Sequence, residues 1–587
     1  MKVTALRKIM KEKGIDCYIV PSFDAHQSEY VSDYFKSRAW ITGFTGSAGT
    51  AVITQDAALL WTDGRYHTQA EKELAGGPFQ LVRQGLPGEA TIEEWLVQNM
   101  GSEAIIGFDG SCVSKQFLNT LEKQTEGKGF QYSFQEDLFE RVWINRPAFP
   151  KEPAMDFPVK FAGESRLEKL SALRAAMVKK EADAYLIPNL DDIAWLLNIR
   201  GNDMTYCPFV IAYVLVTLDQ CTLFIHSEKL SQDVEYSLFA DGISLMPYDH
   251  VFKGLNDLTV KTVIYDAAYT SVKLVNAIPS SVITKSAGEI VSHMKSNKSK
   301  SEIQNMRHSQ LKDGVALIHF LKWLYGAMVL EQVTELDIAA KLEHYRRLQE
   351  HYIGPSFNTI AGYKENAAMM HYSATEEKHA ILQNQGLLLI DSGAQYLDGT
   401  TDITRTVALG PLTEEERKDY TLTLKSHIGL AEAVFLKGTC GPHLDILARK
   451  PMWDNGLDYK CGTGHGIGYF LSVHEGPHTI RCNQNDVPLA PGMIITNEPG
   501  VYKPGRHGVR IENVLLVSEY QTTEFGEFYH FDTLSFCPID KTPIIKDMLT
   551  PSEIKWLNDY HEMVWQQLSP ILDGEHKTFL RGLTEAL

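Results

Sequence analysis

Apolar and polar positions along the chain follow a pattern that occurs twice. Residues 6–21 read LRKIMKEKGIDCYIVP, and residues 173–188 read LRAAMVKKEADAYLIP. Each run predicts a short amphipathic helix, a turn and an apolar strand that stops at proline, because the spacing of apolar residues changes from three and four to continuous. WITGFTG (40–46) is echoed by WLLNIRG (195–201). Both copies continue into β-rich paired runs, TAVITQDAALLWTDGR (50–65) and AYVLVTLDQCTLFIH (212–226), which read as hairpins. The pattern therefore predicts two related α/β modules, 1–150 and 155–297. The segment between them, NRPAFPKEPAMDFPVKF (145–161), carries four prolines and is expected to run extended.

A third region, 298–587, opens within the charged stretch SHMKSNKSKSEIQNMRHSQ (292–310). Residues 302–328, EIQNMRHSQLKDGVALIHFLKWLYGAM, have helical apolar spacing, and apolar strand candidates with acidic residues at their ends follow. The amphipathic run TPSEIKWLNDYHEMVWQQLSPIL (550–572) is expected to pack on this region or at an interface of it.

Composition narrows the function. A chain of 587 residues exceeds one ordinary domain, and 44% hydrophobic with 22% charged residues suits packed globular cores. A net charge of −18 argues against nucleic acid as a partner. Lys and Arg interrupt the N-terminal run where a signal peptide needs apolar residues, and the longest apolar run, FVIAYVLV (209–216), is far short of the ~20 residues that span a bilayer. The eight cysteines are scattered without a C-x-x-C pair, which reads as free thiols in a reducing compartment. A cytoplasmic protein without a membrane partner is expected.

The densest chemistry lies in CGTGHGIGYFLSVHEGP (461–477), followed by His478. His474-Glu475-Gly476-Pro477-His478 spells a zinc-protease motif, which works only when both histidines share one face of a helix. Proline inside a helix costs ~3 kcal/mol and glycine ~1 more, so this helix is not expected. Glycines at 462, 464, 466 and 468 alternate, which departs from a phosphate loop and fits a bent strand whose backbone passes close to a neighbour.

His465 needs acidic company. GLLLIDSGAQYLDGTTDITRTVAL (386–409) predicts a strand ending at Asp391, a turn at 397–399 and a second strand carrying Asp402. GMIITNEPGVY (492–502) predicts a strand with Glu498 at its end, and GVRIENVLLV (508–517) another with Glu512 inside it. Carboxylates in such apolar settings need partners. Four of them would repel one another unless cations sit between them, and two divalent metals with one histidine resolve that.

The ordered set Asp391, Asp402, His465, Glu498, Glu512 resembles the metal ligands of the "pita-bread" metallopeptidases, the methionine aminopeptidase, prolidase and aminopeptidase P superfamily. The contexts DSGAQYLDGTTDITRT, GTGHGIG, VHEGP, NEPGVY and GVRIEN are similar too. DAHQSEY (24–30), GFTGSAGTAVIT (43–54) and WTDGRY (61–66), with the doubled N-terminal module, resemble the three-domain Xaa-Pro aminopeptidases. The resemblance implies two creatinase-N-like α/β modules before a pita-bread catalytic domain. It implies two metal ions, usually Mn²⁺, although the donor set also accepts Co²⁺ or Zn²⁺.

By the same resemblance, Asp391 would bind one metal, His465 and Glu498 the other, and Asp402 and Glu512 would bridge. A metal-bridging hydroxide would attack the carbonyl before a penultimate proline, and Glu498 would shuttle the proton. His371 and His474 match positions that contact substrate. Arg510 is placed either as steadying a ligand carboxylate or as an ordinary strand-face ion pair. Arg65 is placed either against the peptide beyond proline or as a hairpin-turn arginine of TDGR. A homodimer paired through the catalytic domains is expected, with peptides bearing proline second as substrates.

One departure stands out. Relatives often carry His-Gly-x-Gly-His where this chain has Cys461-Gly462-Thr463-Gly464-His465. A thiol cannot act as an imidazolium donor, so Cys461 is expected to line the substrate pocket without binding metal. Two other functions compete. A prolidase-like dipeptidase has no need of two N-terminal modules. A non-catalytic pita-bread binding protein of the histone-chaperone kind lacks the ligands that are all present here.

Overall fold

The first repeat folds as the helix Lys2–Lys13, a turn at Gly14 and the fully buried strand Cys17–Val20. The second folds as the helix Arg166–Lys179 and the strand Ala184–Ile187, also buried throughout. Each strand is central to its own six-stranded sheet. The first sheet runs Gln80–Arg83, Ala58–Thr62, Thr50–Thr54, Cys17–Val20, Ile105–Gly107, Gln131–Ser133. The second runs Ile243–Met246, Cys221–Ile225, Ala212–Thr217, Ala184–Ile187, Thr262–Tyr265, Ile283–Ser286. In each sheet the second, third and fourth strands pair antiparallel and the remaining pairs are parallel. Both expected hairpins are present. The computed structural model describes residues 2–287 and 289–587, which form two compact units, Met1–Val291 and Ser292–Leu587.

The two modules of the first unit meet about a local two-fold axis. Ser114 bridges Ser271, each the side-chain cap of a helix. Lys115 N donates to Thr270 O (2.8 Å) while Val272 N donates to Val113 O (2.9 Å). Gln116 N donates to Ala267 O (2.8 Å) while Lys273 N donates to Gly110 O (3.0 Å). Reciprocal bonds of this kind are what two copies of one surface make when they pair. The proline-rich segment between the modules lies mostly outside helices and strands, with the short strand Met155–Asp156 and the helix Val159–Ala162 at its end.

The second unit opens with the 31-residue helix Lys300–Leu330, started by a capping box between Ser299 and Glu302. It is long and apolar enough to cross a bilayer, but half of its apolar window is buried inside the protein. It packs through Ile318 into a core shared with Leu387, Tyr420, Leu424, Leu557 and Val564. The helix Pro551–Leu568 closes that core, so the C-terminal amphipathic run packs on its own unit.

Two sheets carry the acidic residues. One orders Ile360–Tyr363, Leu387–Ser392, Ile403–Ala408. The other orders Val434–Leu436, Gly526–Thr533, Asn513–Thr523, Ile494–Asn497, Gly464–Gly466, Glu475–Ile480. Two strand readings change. Asp402 stands one residue before the strand Ile403–Ala408. Residues 508–517 are two strands, His507–Arg510 and Asn513–Thr523, in different sheets, with Glu512 in the link between them. The chain has to change sheets there, and a continuous apolar run hides such a break.

Candidate metal centre

Strand ends bring the acidic residues together. Asp391 lies near the end of Leu387–Ser392, and the register Ser392↔Ile403 places Asp402 at the same end of that pair. Glu498 follows Ile494–Asn497, whose Asn497 pairs with Asn513, beside Glu512. His465 is the middle residue of Gly464–Gly466, and Gly466 pairs with Ile495 of the same sheet.

Glycine is needed on both sides of His465. A Cβ on Gly464 would stand 1.9 Å from Thr496 O, and one on Gly466 would stand 2.3 Å from Glu475 O. The alternating glycines therefore let a bulged strand lie against its neighbours' backbones.

Asp402, His465 and Glu512 each offer a ligand atom within 4.8 Å of the others. His465 Nε2 lies 3.6 Å from Asp402 Oδ2 and 3.3 Å from Glu498 Oε1. Its Nδ1 is 3.0 Å from Gly466 O. A carbonyl only accepts, so Nδ1 carries the proton and Nε2 points at the carboxylates, as metal ligation requires. Arg510, only 3% exposed, ties the cluster together. Its Nη2 donates to Asp391 Oδ2 (2.5 Å), its Nε to Thr404 Oγ1 (3.1 Å) and its Nη1 to Tyr502 OH (2.6 Å). Thr404 Oγ1 donates in turn to Glu512 Oε2 (2.7 Å).

The sequence reading missed several supports. Thr404 holds Glu512, and Thr496 Oγ1 reaches Glu498 Oε1 (3.3 Å) and accepts from His465 N (3.1 Å). Each of these threonines stands two residues from a site carboxylate, so strand periodicity alone could have named them. Glu475, next to His474, is fully buried between Lys298 and Lys295, whose Nζ is 3.5 Å away. No local pattern announces that contact.

The apparent zinc motif is part strand. Residues Glu475–Ile480 form a strand, and His478 is buried with Nε2 donating to Ile494 O (2.9 Å). His474 instead packs edge-on against the ring of His465, centroids 4.3 Å apart. His371 lies half-buried just beyond Met370, whose carbonyl accepts from Arg510 Nη2 (3.5 Å). Cys461 packs with Leu457 and Tyr502 against the small core of Leu422, Met452, Tyr459 and Val501. Its carbonyl accepts from Arg449 Nη2 (2.9 Å). Burial, aided by the Glu498 charge, pushes its thiol up to about 12, so it stays protonated. Arg65 belongs to the first unit, where Asp63 holds its Nε (2.9 Å) and Nη2 (2.8 Å). Its turn leads from the strand Ala58–Thr62 into the helix His67–Glu73, so the hairpin reading of TDGR fails.

Comparison with known proteins agrees with this architecture. Residues 304–519 match metallopeptidase family M24, and residues 527–587 match the C-terminal region of peptidase M24. Residues 2–137 and 145–302 each match the creatinase/prolidase N-terminal domain. The chain is 39% identical over 594 residues to the probable Xaa-Pro aminopeptidase P of Laccaria bicolor, covering 98% of this chain and 91% of that one. The chain belongs to metallopeptidase family M24. Among M24 relatives, Xaa-Pro aminopeptidase 1 of Dictyostelium discoideum is 40% identical over 591 residues, covering 97% of this chain and 93% of its own. The crystal structure of an X-prolyl aminopeptidase from Caenorhabditis elegans, described as a cytosolic enzyme with a di-nuclear active site, superposes with a TM-score of 0.95. It is 33% identical, covering 100% of this chain and 99% of that one.

The M24 assignment implies metal, and the residues fit one. Among the described residues Asp391 Oδ1 is buried without a hydrogen-bond partner, an expensive state for a carboxylate whose other oxygen accepts from Arg510. Burial first, then the neighbouring carboxylates, hold Asp402 and Glu512 well above the usual carboxylate range. Burial also raises Asp391, against the pull of Arg510. Glu498 runs the other way: burial pushes it up, but His465 more than offsets this and leaves it lowered. Burial pushes His465 down, but Glu498 outweighs it and raises the imidazole to about 9. The metal-free site is thus a proton store that cations would displace.

A pH dependence follows. Asp391, Asp402 and Glu512 bind protons more tightly folded than unfolded, so their contribution to metal-free stability falls as pH rises above the unfolded carboxylate range. The His465 contribution is complete below its unfolded value and is lost as pH rises through about 9. Glu498 alone acts oppositely, losing its contribution as pH falls through its lowered value. Added divalent metal should therefore raise the unfolding midpoint more at about pH 9 than at about pH 6, because the ligands must shed protons to bind it. Thermal unfolding with and without metal checks this; a gap that narrows toward alkaline pH contradicts it.

Proposed function

We infer that this chain is an Xaa-Pro aminopeptidase, releasing an N-terminal residue that precedes proline. Full-length correspondence carries the reading. The X-prolyl aminopeptidase of Caenorhabditis elegans covers the chain whole, whereas an Xaa-Pro dipeptidase from Bacillus anthracis, 25% identical with a TM-score of 0.52, covers 64% of it.

In this reading Asp391, Asp402, His465, Glu498 and Glu512 would hold two divalent ions. When bound, such ions acidify water and polarise the scissile carbonyl. The protein's own groups supply the rest. Arg510 and Thr404 fix Asp391 and Glu512, so the carboxylates cannot swing apart. Glu498, kept ionised by His465, accepts the proton released from the attacking water and returns it to the leaving imino nitrogen. His474 and His371 are assigned to contact the substrate. Oxygen and imidazole donors favour manganese and accept cobalt or zinc. The reading extends to a cytosolic homodimer, with Cys461 as a neutral wall of the pocket and Arg65 as a contact to longer peptides.

Three substrates offered to manganese-loaded protein test the function: X-Pro-Pro, X-Pro, and the tripeptide with alanine replacing the first proline. Release of X from X-Pro-Pro alone, abolished by chelator, is the expected result. Cleavage confined to the dipeptide would move the function to a prolidase. Cys461→Ser should leave metal content unchanged, since the protonated thiol is not a ligand; a lost metal ion, measured by elemental analysis, contradicts that.

A further inference from the structure

We propose that Glu335 is a positioning residue for substrate binding, anchoring the segment 363–380 that carries His371; this rests on the aminopeptidase reading above. Glu335 is the first residue of the helix Glu335–Arg347 and is fully buried. Its Oε1 accepts from Tyr363 N (2.7 Å) and Asn366 Nδ2 (3.0 Å). Its Oε2 accepts from Ala380 N (2.7 Å), Tyr372 OH (2.8 Å) and Asn366 Nδ2 (3.1 Å). None of these donors is a cation. The backbone repeats the tie, with Glu335 N donating to Ala380 O (3.1 Å) and Leu382 N to Val333 O (2.8 Å).

One side chain therefore grips the segment at its start, near its middle and at its end, while most of 373–379 is exposed. The inner part of the segment faces the chemistry: Met370 O receives Arg510, which holds Asp391, and His371 lies between Met370 and the tethered Tyr372. A carboxylate suits this place because it only accepts. Glutamine of the same shape would turn one oxygen into a donor facing donors. The helix N-terminus behind it favours negative charge as well.

The test is a double-mutant cycle on the metal-loaded full chain. Glu335→Gln is expected to lower kcat/KM about 10- to 100-fold through misplacement, with metal content unchanged. In a His371→Ala background the same change should cost no more than about twofold, because the two residues act as one unit. Losses that multiply in full, or an unimpaired Glu335→Gln enzyme, overturn the proposal. Tyr372→Phe removes a single hydrogen bond and should show the same non-additivity at smaller size, so the proposal stays testable if Glu335→Gln fails to fold. Hydrogen exchange supplies a readout apart from activity. Amides of 369–379 should exchange faster in either variant, with Leu387–Ser392 and Ile403–Ala408 unchanged; unaltered exchange in the segment refutes the tether. A wild type that cleaves no Xaa-Pro peptide would sink the aminopeptidase reading and leave the exchange result to judge Glu335.

Discussion

Asp402→Asn is expected to remove peptidase activity and stabilise the metal-free protein at the same time. Asp402 is 4% exposed and faces His465 Nε2 at 3.6 Å, with Glu512 and Asp391 close enough to raise its proton affinity. Asparagine keeps the shape and loses the charge, and a neutral amide cannot neutralise two cations. Forfeiting several kcal/mol of Lewis-acid stabilisation lowers kcat/KM by at least about three orders of magnitude. Without metal the sign reverses, because the substitution deletes one of several carboxylates that repel one another in a buried site. Elemental analysis, kinetics and metal-free unfolding check the three parts. Activity within about tenfold of wild type would refute the assigned role.

Arg510→Met carries the second large effect. Its guanidinium reaches Asp391, Thr404 and Tyr502 through three different nitrogens. Methionine keeps much of the volume but, in the metal-free protein, leaves Asp391 buried without the countercharge that Arg510 supplies, a change that costs about 3–5 kcal/mol. Arg510→Lys should rescue little, since one ammonium cannot serve three directions fixed by a planar fork. Both variants should bind metal about 10- to 100-fold more weakly, measured by titration followed by elemental analysis. A lysine variant with wild-type affinity would show that the fork geometry is irrelevant.

Much of this was legible in the chain because local pattern and chemistry coincide. The repeat at 6–21 and 173–188 is local, and it folded as two sheets of the same order and sense. Asp391, Glu498 and Asp402 sit at the ends of apolar runs, where burial makes a lone carboxylate conspicuous. Glu512 was placed inside a strand, because Ile511 and Val514 continue an apolar run across a change of sheet. Supports that act over distance left no such trace. Glu335 lies 28 residues before Tyr363 and 45 before Ala380, and Lys298 lies 177 before Glu475. Their roles depend on contacts that no window of sequence contains. Only the hairpin at TDGR was misread, for a related reason: the stretch is a turn in either case, and the helix after it decides against a hairpin.

On the proposed function, one buried cluster of four carboxylates and His465 would hold two metal ions that the peptidase reaction needs. Native mass spectrometry of the full chain, titrated with manganese while X-Pro-Pro cleavage is followed in the same samples, tests it most directly. Two ions per chain, activity that rises with their occupancy, and loss of both in Asp402→Asn are expected. Full activity with no bound ion, or two bound ions retained in the Asp402→Asn protein, would contradict it.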